Sequence, residues 1–430
     1  LNPNETVRVV VDRNNNVTKL FRTFVAEDYT APVSGIPGKR TLKNFLATAM
    51  EPVGTALYVY GGTWDWQDVN SSNQSMTIGL SQSWIDFFQS QDKTYHYKNP
   101  KPAESYYPHN AWNQYYYAGI DCSGYVGWAV YNLLNTENST VADNKGYVMS
   151  ATKQAGVFAS NEGWGTMDMG DVLMDETTGK PWVDEDGDGR RVYEGHEFKP
   201  GDIFSMNGHV WISLGTCKDG SIVFMHSTPN TTNGAGVQIS AIGPDKNCEA
   251  YKLANQYMNK YFPQWSERYG DQVLCLTFDS YTKVYDKAVK NDGQPTGEFT
   301  RVAGKFSWNL KDGVISDPDN YATMTPGEIL ADLFKDAKIP QQTKEAVYLG
   351  VENYGTVTSK EKESFQHRFF VDGDIKTYTI PADGGKFVLQ NQLQEGYVYD
   401  ITVKDEAQVI DVELKDKGHS NVVMGEVTAI

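Results

Sequence analysis

Apolar and polar residues follow several distinct rhythms along this chain. Val7, Val9 and Val11 alternate with polar positions, Asn14-Asn15-Asn16 supplies a turn, and Val17 to Leu20 returns, which predicts a β-hairpin over residues 5–20. Thr41 opens a helix whose apolar face is Leu42, Phe45, Leu46, Ala49, Met50 and Val53, with stop signals at Pro52 and Gly54. The clearest helical stripe follows Gly119-Ile120-Asp121-Cys122-Ser123-Gly124: Val126, Ala129, Val130, Leu133 and Leu134 recur at i, i+3, i+4, i+7 and i+8. Asp121 is a good N-cap for that stripe, so Cys122 falls on the first turn, where unpaired N–H groups and the helix dipole favour a thiolate. Gly124 and Gly127 each cost up to about 1 kcal/mol relative to Ala in a helix, which is reasonable where the face packs very closely on another segment. Taken alone, the stretch also fits a buried, inert cysteine.

Tyr147 to Gly156 reads as a short helix, and residues 208–214 and 221–226 as strands of a hairpin turning at Lys218-Asp219-Gly220. A helix is predicted over about 249–260 and one more strand from Gln272 to Val284. Beyond 285 the texture changes. Thr325-Pro326-Gly327-Glu328 is a capping box with Pro at the first helical position, and from Ala346 onward short alternating runs are split at Asp372-Gly373 and Asp383-Gly384-Gly385. The pattern predicts an N-terminal hairpin and connector (1–40), a mixed α+β domain (41–284) and a mostly β accessory domain (285–430). Residues 63–117 stand out as an aromatic-rich insertion, with Trp64, Trp66, Trp84, Trp112 and Tyr115-Tyr116-Tyr117, forming either a subdomain or the wall of a groove.

Composition narrows the partners. Of the 430 residues 40% are hydrophobic and 13% aromatic, ample for packed cores. A net charge of −17 argues against nucleic acid or an anionic membrane surface as partner. No apolar run is long enough for a transmembrane helix. Leu1 stands where a start Met would, which fits a mature chain whose signal peptide was removed, secreted or wall-associated. The four cysteines, Cys122, Cys217, Cys248 and Cys275, form no CxxC pair and no disulfide framework; one bridge, such as Cys248 with Cys275, is compatible with them. Asp184, Asp186 and Asp188 before Gly189 match half of a calcium loop, but Gly195 occupies the position that needs a bidentate Glu. An acidic turn is the simpler reading, and no cofactor is required.

A cysteine nucleophile needs a base. Of the seven histidines, His209 and His226 flank the predicted hairpin and share a sheet face if its loop is even in length; an odd loop would separate them. A free thiol is only a few per cent ionised at neutral pH. Lowering its pKa to about 5–6 takes roughly 3–5 kcal/mol. A helix N-terminus supplies about 0.3–1 kcal/mol, so an adjacent imidazolium must supply the remainder. Cys122 would attack a carbonyl, His209 would pair with the thiolate and protonate the leaving amine, and His226 would hold the His209 tautomer.

Asp121-Cys122-Ser123-Gly124, Gly208-His209-Val210 and Val223-Phe224-Met225-His226-Ser227 resemble the three signature segments of the NlpC/p-sixty family of cell-wall cysteine peptidases. Tyr58-Val59-Tyr60-Gly61-Gly62 is similar to the family's Tyr-x-Trp-Gly-Gly, with Tyr60 at the Trp position, and Lys199-Pro200-Gly201-Asp202 to the turn before the histidine strand. The resemblance spans roughly residues 41–240. It implies a papain-like α+β core, the cysteine helix packed on an antiparallel sheet, and an endopeptidase of peptidoglycan stem peptides, commonly at the γ-D-glutamyl-diamino acid bond. By position it also implies that Tyr58 helps form the oxyanion site and that Asp121 and Ser123 line the acyl side of the groove; it says nothing of the accessory β domain, which is a candidate for binding cell wall. The chain departs from the family in its long stretch between Gly62 and Cys122. Where many members carry an Arg-(Asp/Thr)-Ser-x-x-Gln motif, it has Val148-Met149-Ser150-Ala151-Thr152-Lys153-Gln154. The competing functions are an amidase or acyltransferase with the same Cys–His chemistry, a non-catalytic wall-binding protein, and a Cys/His/His zinc site.

Overall fold

The N-terminal alternation does form a hairpin, Val7–Val11 pairing antiparallel with Val17–Arg22. The computed structural model describes residues 7–11, 17–22, 29–62, 65–67, 74–76, 78–97, 118–137, 139–141, 146–147, 149–172, 174–181, 189–193, 198–230, 235–269, 273–282, 284–286, 289–290, 294–295, 304–351, 364–381, 393–404 and 407–417. Asp184, Asp186 and Asp188, and much of the insertion, including Trp64, Trp112 and the Tyr115-Tyr116-Tyr117 run, lie outside them. The chain is α+β and divides into two units, Leu1–Asp336 and Ala337–Ile430.

In the first unit the helix starts are chemical. Helix α1 (Leu42–Met50) begins where the Thr41 side chain accepts the Asn44 N–H at 3.2 Å. Helix α2 (Cys122–Leu134) begins where Asp121 Oδ1 accepts the Gly124 N–H at 2.7 Å. Every residue of α2 is buried, so it is the central helix rather than an amphipathic surface one. Helix α3 (Ala151–Ser160) starts after Ser150, later than the pattern suggested. Helix α4 (Glu249–Tyr261) follows, and α5 (Pro326–Leu333) carries the expected capping box at Thr325 and Glu328.

The main sheet comprises β1 (Gly165–Asp168), β2 (Ile203–Met206), β3 (His209–Thr216), β4 (Ile222–Thr228), β5 (Gly236–Ile242), β6 (Cys275–Leu276) and β7 (Gly304–Trp308), in the order β6-β5-β4-β3-β2-β7-β1. All pairings are antiparallel except β5 with β6. One face stacks Phe204, Trp211, Phe224, Ile222 and Ile242 with Tyr193 and Phe198 into an aromatic-rich cluster. The opposite face meets the helices: Ser205 Oγ accepts the Ala155 N–H of α3 at 2.9 Å, and Phe306 lies against Phe158 at 6.0 Å.

Two expectations change here. The boundary expected after 284 falls at 336, because β7 inserts between β2 and β1 and so belongs to the main sheet. The following segment is tied to the start of α1, where Leu42 N–H bonds Ser316 O at 2.9 Å and Lys43 Nζ meets Asp332 at 2.5 Å. Nor is Gln272 to Val284 one strand. Its described part gives β6, then a helical turn Phe278–Tyr281, and Val284–Asp286 pairs instead with Gly189–Val192 in a separate small sheet.

The second unit is a closed barrel of β8 (Gln341–Val351), β9 (Ser364–Val371), β10 (Asp374–Pro381), β11 (Val398–Lys404) and β12 (Gln408–Asp416), in the order β8-β9-β10-β12-β11. Its interior is Tyr348, Phe369, Val371, Tyr378, Ile380, Tyr399, Ile401, Val403 and Val409. Inward residues alternate with outward ones that are mostly polar, with Phe370, Ile375 and Leu414 as exposed apolar exceptions.

Candidate active site

Cys122 is positioned by close backbone packing. Asp121 N–H bonds Gly62 O at 2.9 Å and Ile120 N–H bonds Leu57 O at 3.0 Å, pinning the start of α2 to the Tyr58-Val59-Tyr60-Gly61-Gly62 segment. Gly61 adopts φ 75°, and a Cβ on Gly62 would lie 2.5 Å from Gly119 O, so each glycine is needed for a different reason. A Cβ on Gly124 would lie 2.4 Å from Gly62 O, which accounts for a glycine in the first turn of the helix. From the sheet, Ser227 Oγ donates to Ile120 O at 2.6 Å.

The pairing of β3 with β4 stops at Ile212 and Met225. Ahead of that point the Val210 N–H turns to the Cys122 thiol, joined by the N–H groups of Ser123 and Cys122 itself. The thiol therefore touches the peptide group that follows His209. His209 Nε2 lies 2.9 Å from His226 Nδ1, and His226 Nε2 lies 3.0 Å from Ser240 Oγ. Ser240 Oγ donates to Gln238 Oε1 at 3.3 Å.

That chain of bonds favours one set of tautomers. An amide oxygen only accepts, so the serine hydroxyl donates to Gln238 and accepts from His226 Nε2–H. His226 Nδ1 is then a bare acceptor, His209 must donate to it from Nε2–H, and His209 Nδ1 is left as the free base. Gln238 and Ser240 carry no motif of their own. Their only sequence signal is the strand alternation that puts them on the histidine face, beside His226 and Phe224.

The two histidines share a face for an unexpected reason. The loop between β3 and β4, residues 217–221, is odd in length, the condition under which they should have parted. A bulge between Ser213 and Gly215 adds one residue to β3 and restores the parity. Gly215 takes φ 109°, a conformation that L side chains rarely adopt.

The electrostatics also differ from the expected ion pair. Burial, reinforced by Asp121, pushes the Cys122 thiol up to about 12, against the N–H groups that favour the thiolate. Burial pushes His209 down to about 4, and His226 well below its usual range, with His209 adding to the effect. Burial thus works against the thiolate and against the imidazolium alike.

Around the nucleophile, Tyr58 is buried, and burial together with Cys122 and Asp121 raises its hydroxyl pKa. Tyr95 OH donates to Tyr58 O at 2.7 Å, so the described part of the insertion braces the site. Trp84, from the same part, packs on Trp128 of α2 with ring centroids 5.8 Å apart. Tyr60 is 66% exposed and stacks on Tyr97. Asp121 accepts from the Gly61, Ser123 and Gly124 N–H groups and from Ser123 Oγ, so Asp121 and Ser123 visibly build the helix start. Gln154 is fully buried and donates to Ser123 O at 2.9 Å, bracing that turn from beneath. Tyr281, which the sequence reading did not single out, lies against both histidines.

All four cysteines are free thiols. Among the described residues, Cys217, Asp219 and Glu249 form the one group with cation-ligand spacing. Its carboxylates already accept N–H groups: Asp219 from Ser221 and Glu249, and Glu249 from Lys218, which latches the β3–β4 turn to α4. No helix among the described residues is long and apolar enough to cross a membrane. No family model, curated protein or solved structure matches the chain.

Proposed function

We propose that this protein is a cysteine endopeptidase with a papain-like core, secreted or wall-associated, that hydrolyses peptidoglycan stem peptides at the γ-D-glutamyl-diamino acid bond. The observation that carries the reading is the relay Gln238–Ser240–His226–His209, which leaves one free imidazole nitrogen for a cysteine at a helix start. As a carbonyl arrives, His209 Nδ1 takes the thiol proton while sulfur bonds the carbonyl carbon. The oxyanion is met by the Cys122 N–H and the Tyr58 hydroxyl, while Asp121 and Ser123 hold the acyl side of the groove. His209 then protonates the leaving amine. A water, deprotonated by His209, then attacks the thioester, and as the C–S bond breaks His209 returns the proton to sulfur.

Digestion of purified peptidoglycan under reducing conditions, with mass analysis of the fragments, tests this. The wild type should release fragments ending at γ-D-glutamate and Cys122→Ala should release none. Equal release by both, or none by the wild type, sinks the reading. The masses also separate peptide cleavage from an amidase or acyl transfer.

A further inference from the structure

We propose that Tyr281 is a positioning residue that holds His226 in the tautomer the relay requires and seats the His209 ring. The proposal rests on the reading of Cys122 and His209 as nucleophile and base. Tyr281 lies outside the segments that carry the family resemblance, on the helical turn Phe278–Tyr281 directly after β6.

The turn is fixed to the sheet by backbone bonds. Ala241 N–H bonds Leu274 O at 3.0 Å and Gly243 N–H bonds Leu276 O at 2.8 Å, and the turn is then closed by Thr282 Oγ1 on Phe278 O at 2.7 Å. From there the Tyr281 ring covers the histidine face. Its centroid lies 5.3 Å from His209, 5.9 Å from His226 and 5.4 Å from Phe224. The hydroxyl bonds the Thr228 side chain and reaches within 3.4 Å of His226 Nδ1.

That nitrogen is the one that accepts from His209. Two donors, His209 Nε2–H at 2.9 Å and the tyrosine hydroxyl at 3.4 Å, converge on one lone pair. A proton on Nδ1 would face both, so His226 is held as the Nε2–H tautomer from this side while Ser240 holds it from the other. The ring also limits water at the His209–His226 bond, which strengthens that bond when His209 takes up the thiol proton. The groups facing this nitrogen are therefore His209, Tyr281 and, through Tyr281, Thr228, with Cys122 in electrostatic reach of the phenol.

The test compares the wild-type chain with Tyr281→Phe, which keeps the ring, and Tyr281→Leu, which removes it. Imidazole 15N spectra should show a single His226 Nε2–H tautomer in the wild type and a mixture in Tyr281→Phe. Cys122 alkylation by iodoacetamide at pH 7 should slow by about tenfold in Tyr281→Phe, the worth of one buried hydrogen bond, and further in Tyr281→Leu. Peptidoglycan cleavage should lose kcat with KM unchanged. Unchanged 15N signals and alkylation in Tyr281→Phe would overturn the proposal. If the spectra and alkylation respond while the wild type leaves peptidoglycan intact, the substrate assignment fails and the role of Tyr281 stands.

Discussion

Among the described residues each unit buries one histidine almost completely, and the two are wired differently. His226 is 0% exposed and uses both ring nitrogens, one toward His209 and one toward Ser240. His367, inside the barrel, is 2% exposed; its Nδ1 meets Tyr348 OH at 2.9 Å and its Nε2 has no hydrogen-bond partner. Burial depresses both pKa values. A buried, perturbed histidine is therefore no marker of chemistry by itself. What separates the two is where the bonds lead: from His226 they run to His209, whose following peptide N–H meets the Cys122 thiol, and from His367 to a core tyrosine.

The largest effect should come from cutting the first chain at its reacting end. Cys122→Ala and His209→Ala should each lower kcat/KM by about 10³–10⁴-fold or more, since nucleophile and base act as a unit. His367→Gln should leave it within about twofold. A comparable loss in His367→Gln would break the contrast.

The next test targets the bulge. Deleting Leu214 removes the bulge but leaves Ser213 opposite Phe224, so His209 should keep the face of His226 and cleavage should stay within about tenfold of wild type. Deleting Ile212 instead shifts the residues ahead of Ser213 by one position, so His209 should turn to the other sheet face and cleavage should be abolished. Equal inactivity of two folded deletion variants, judged by near-UV circular dichroism, would show that parity is not what the bulge supplies.

Those two tests bear on what the sequence could tell. Cys122, its Asp121 cap, the glycines at Gly61, Gly62 and Gly124, and the histidine hairpin were legible because each rests on local chemistry. The bulge at Leu214 was not, since nothing in Ser213-Leu214-Gly215 distinguishes an inserted residue from a paired one until β4 fixes the register. Strand β7 was missed because Gly304–Trp308 joins a sheet in which it pairs with Ile203–Met206 and Gly165–Asp168, both far back in the chain. Tyr281 sits in a stretch that reads as strand by composition and becomes a helical turn only because β6 ends at Leu276. The direction of the Cys122 and His209 shifts was also beyond the sequence, because desolvation depends on how deeply the two are packed.

A smaller effect is expected from the far end of the relay. Ser240→Ala leaves His226 Nε2–H buried without its acceptor, so cleavage should fall by about tenfold, consistent with the loss of one neutral hydrogen bond. Fragment release should still be detectable, unlike in His209→Ala. A loss as deep as that of His209→Ala would mean that Ser240 acts on more than the tautomer.

The smallest effect belongs to the barrel and is one of stability. Burial lowers His367 from its usual 6.5 to about 4. A depressed histidine contributes stability that is present above pH 6.5 and is lost as pH falls toward 4, because the unfolded chain takes up the proton first. At about 1.36 kcal/mol per pKa unit, the loss has a ceiling of about 3 kcal/mol. Asp372, held low by Lys344 and Lys376, works in the same direction but only below the ordinary carboxylate range, so it stays out of this window. Hydrogen exchange of β9 and β10 in the intact protein, corrected for intrinsic rates, should lose protection between pH 7 and pH 4.5. In His367→Gln that loss should be smaller, while the protection of β4 around His226 should fall equally in both proteins. Equal loss at β9 and β10 in both proteins would mean that His367 is charged inside the barrel, and the difference drawn between the two histidines would then rest on their partners alone.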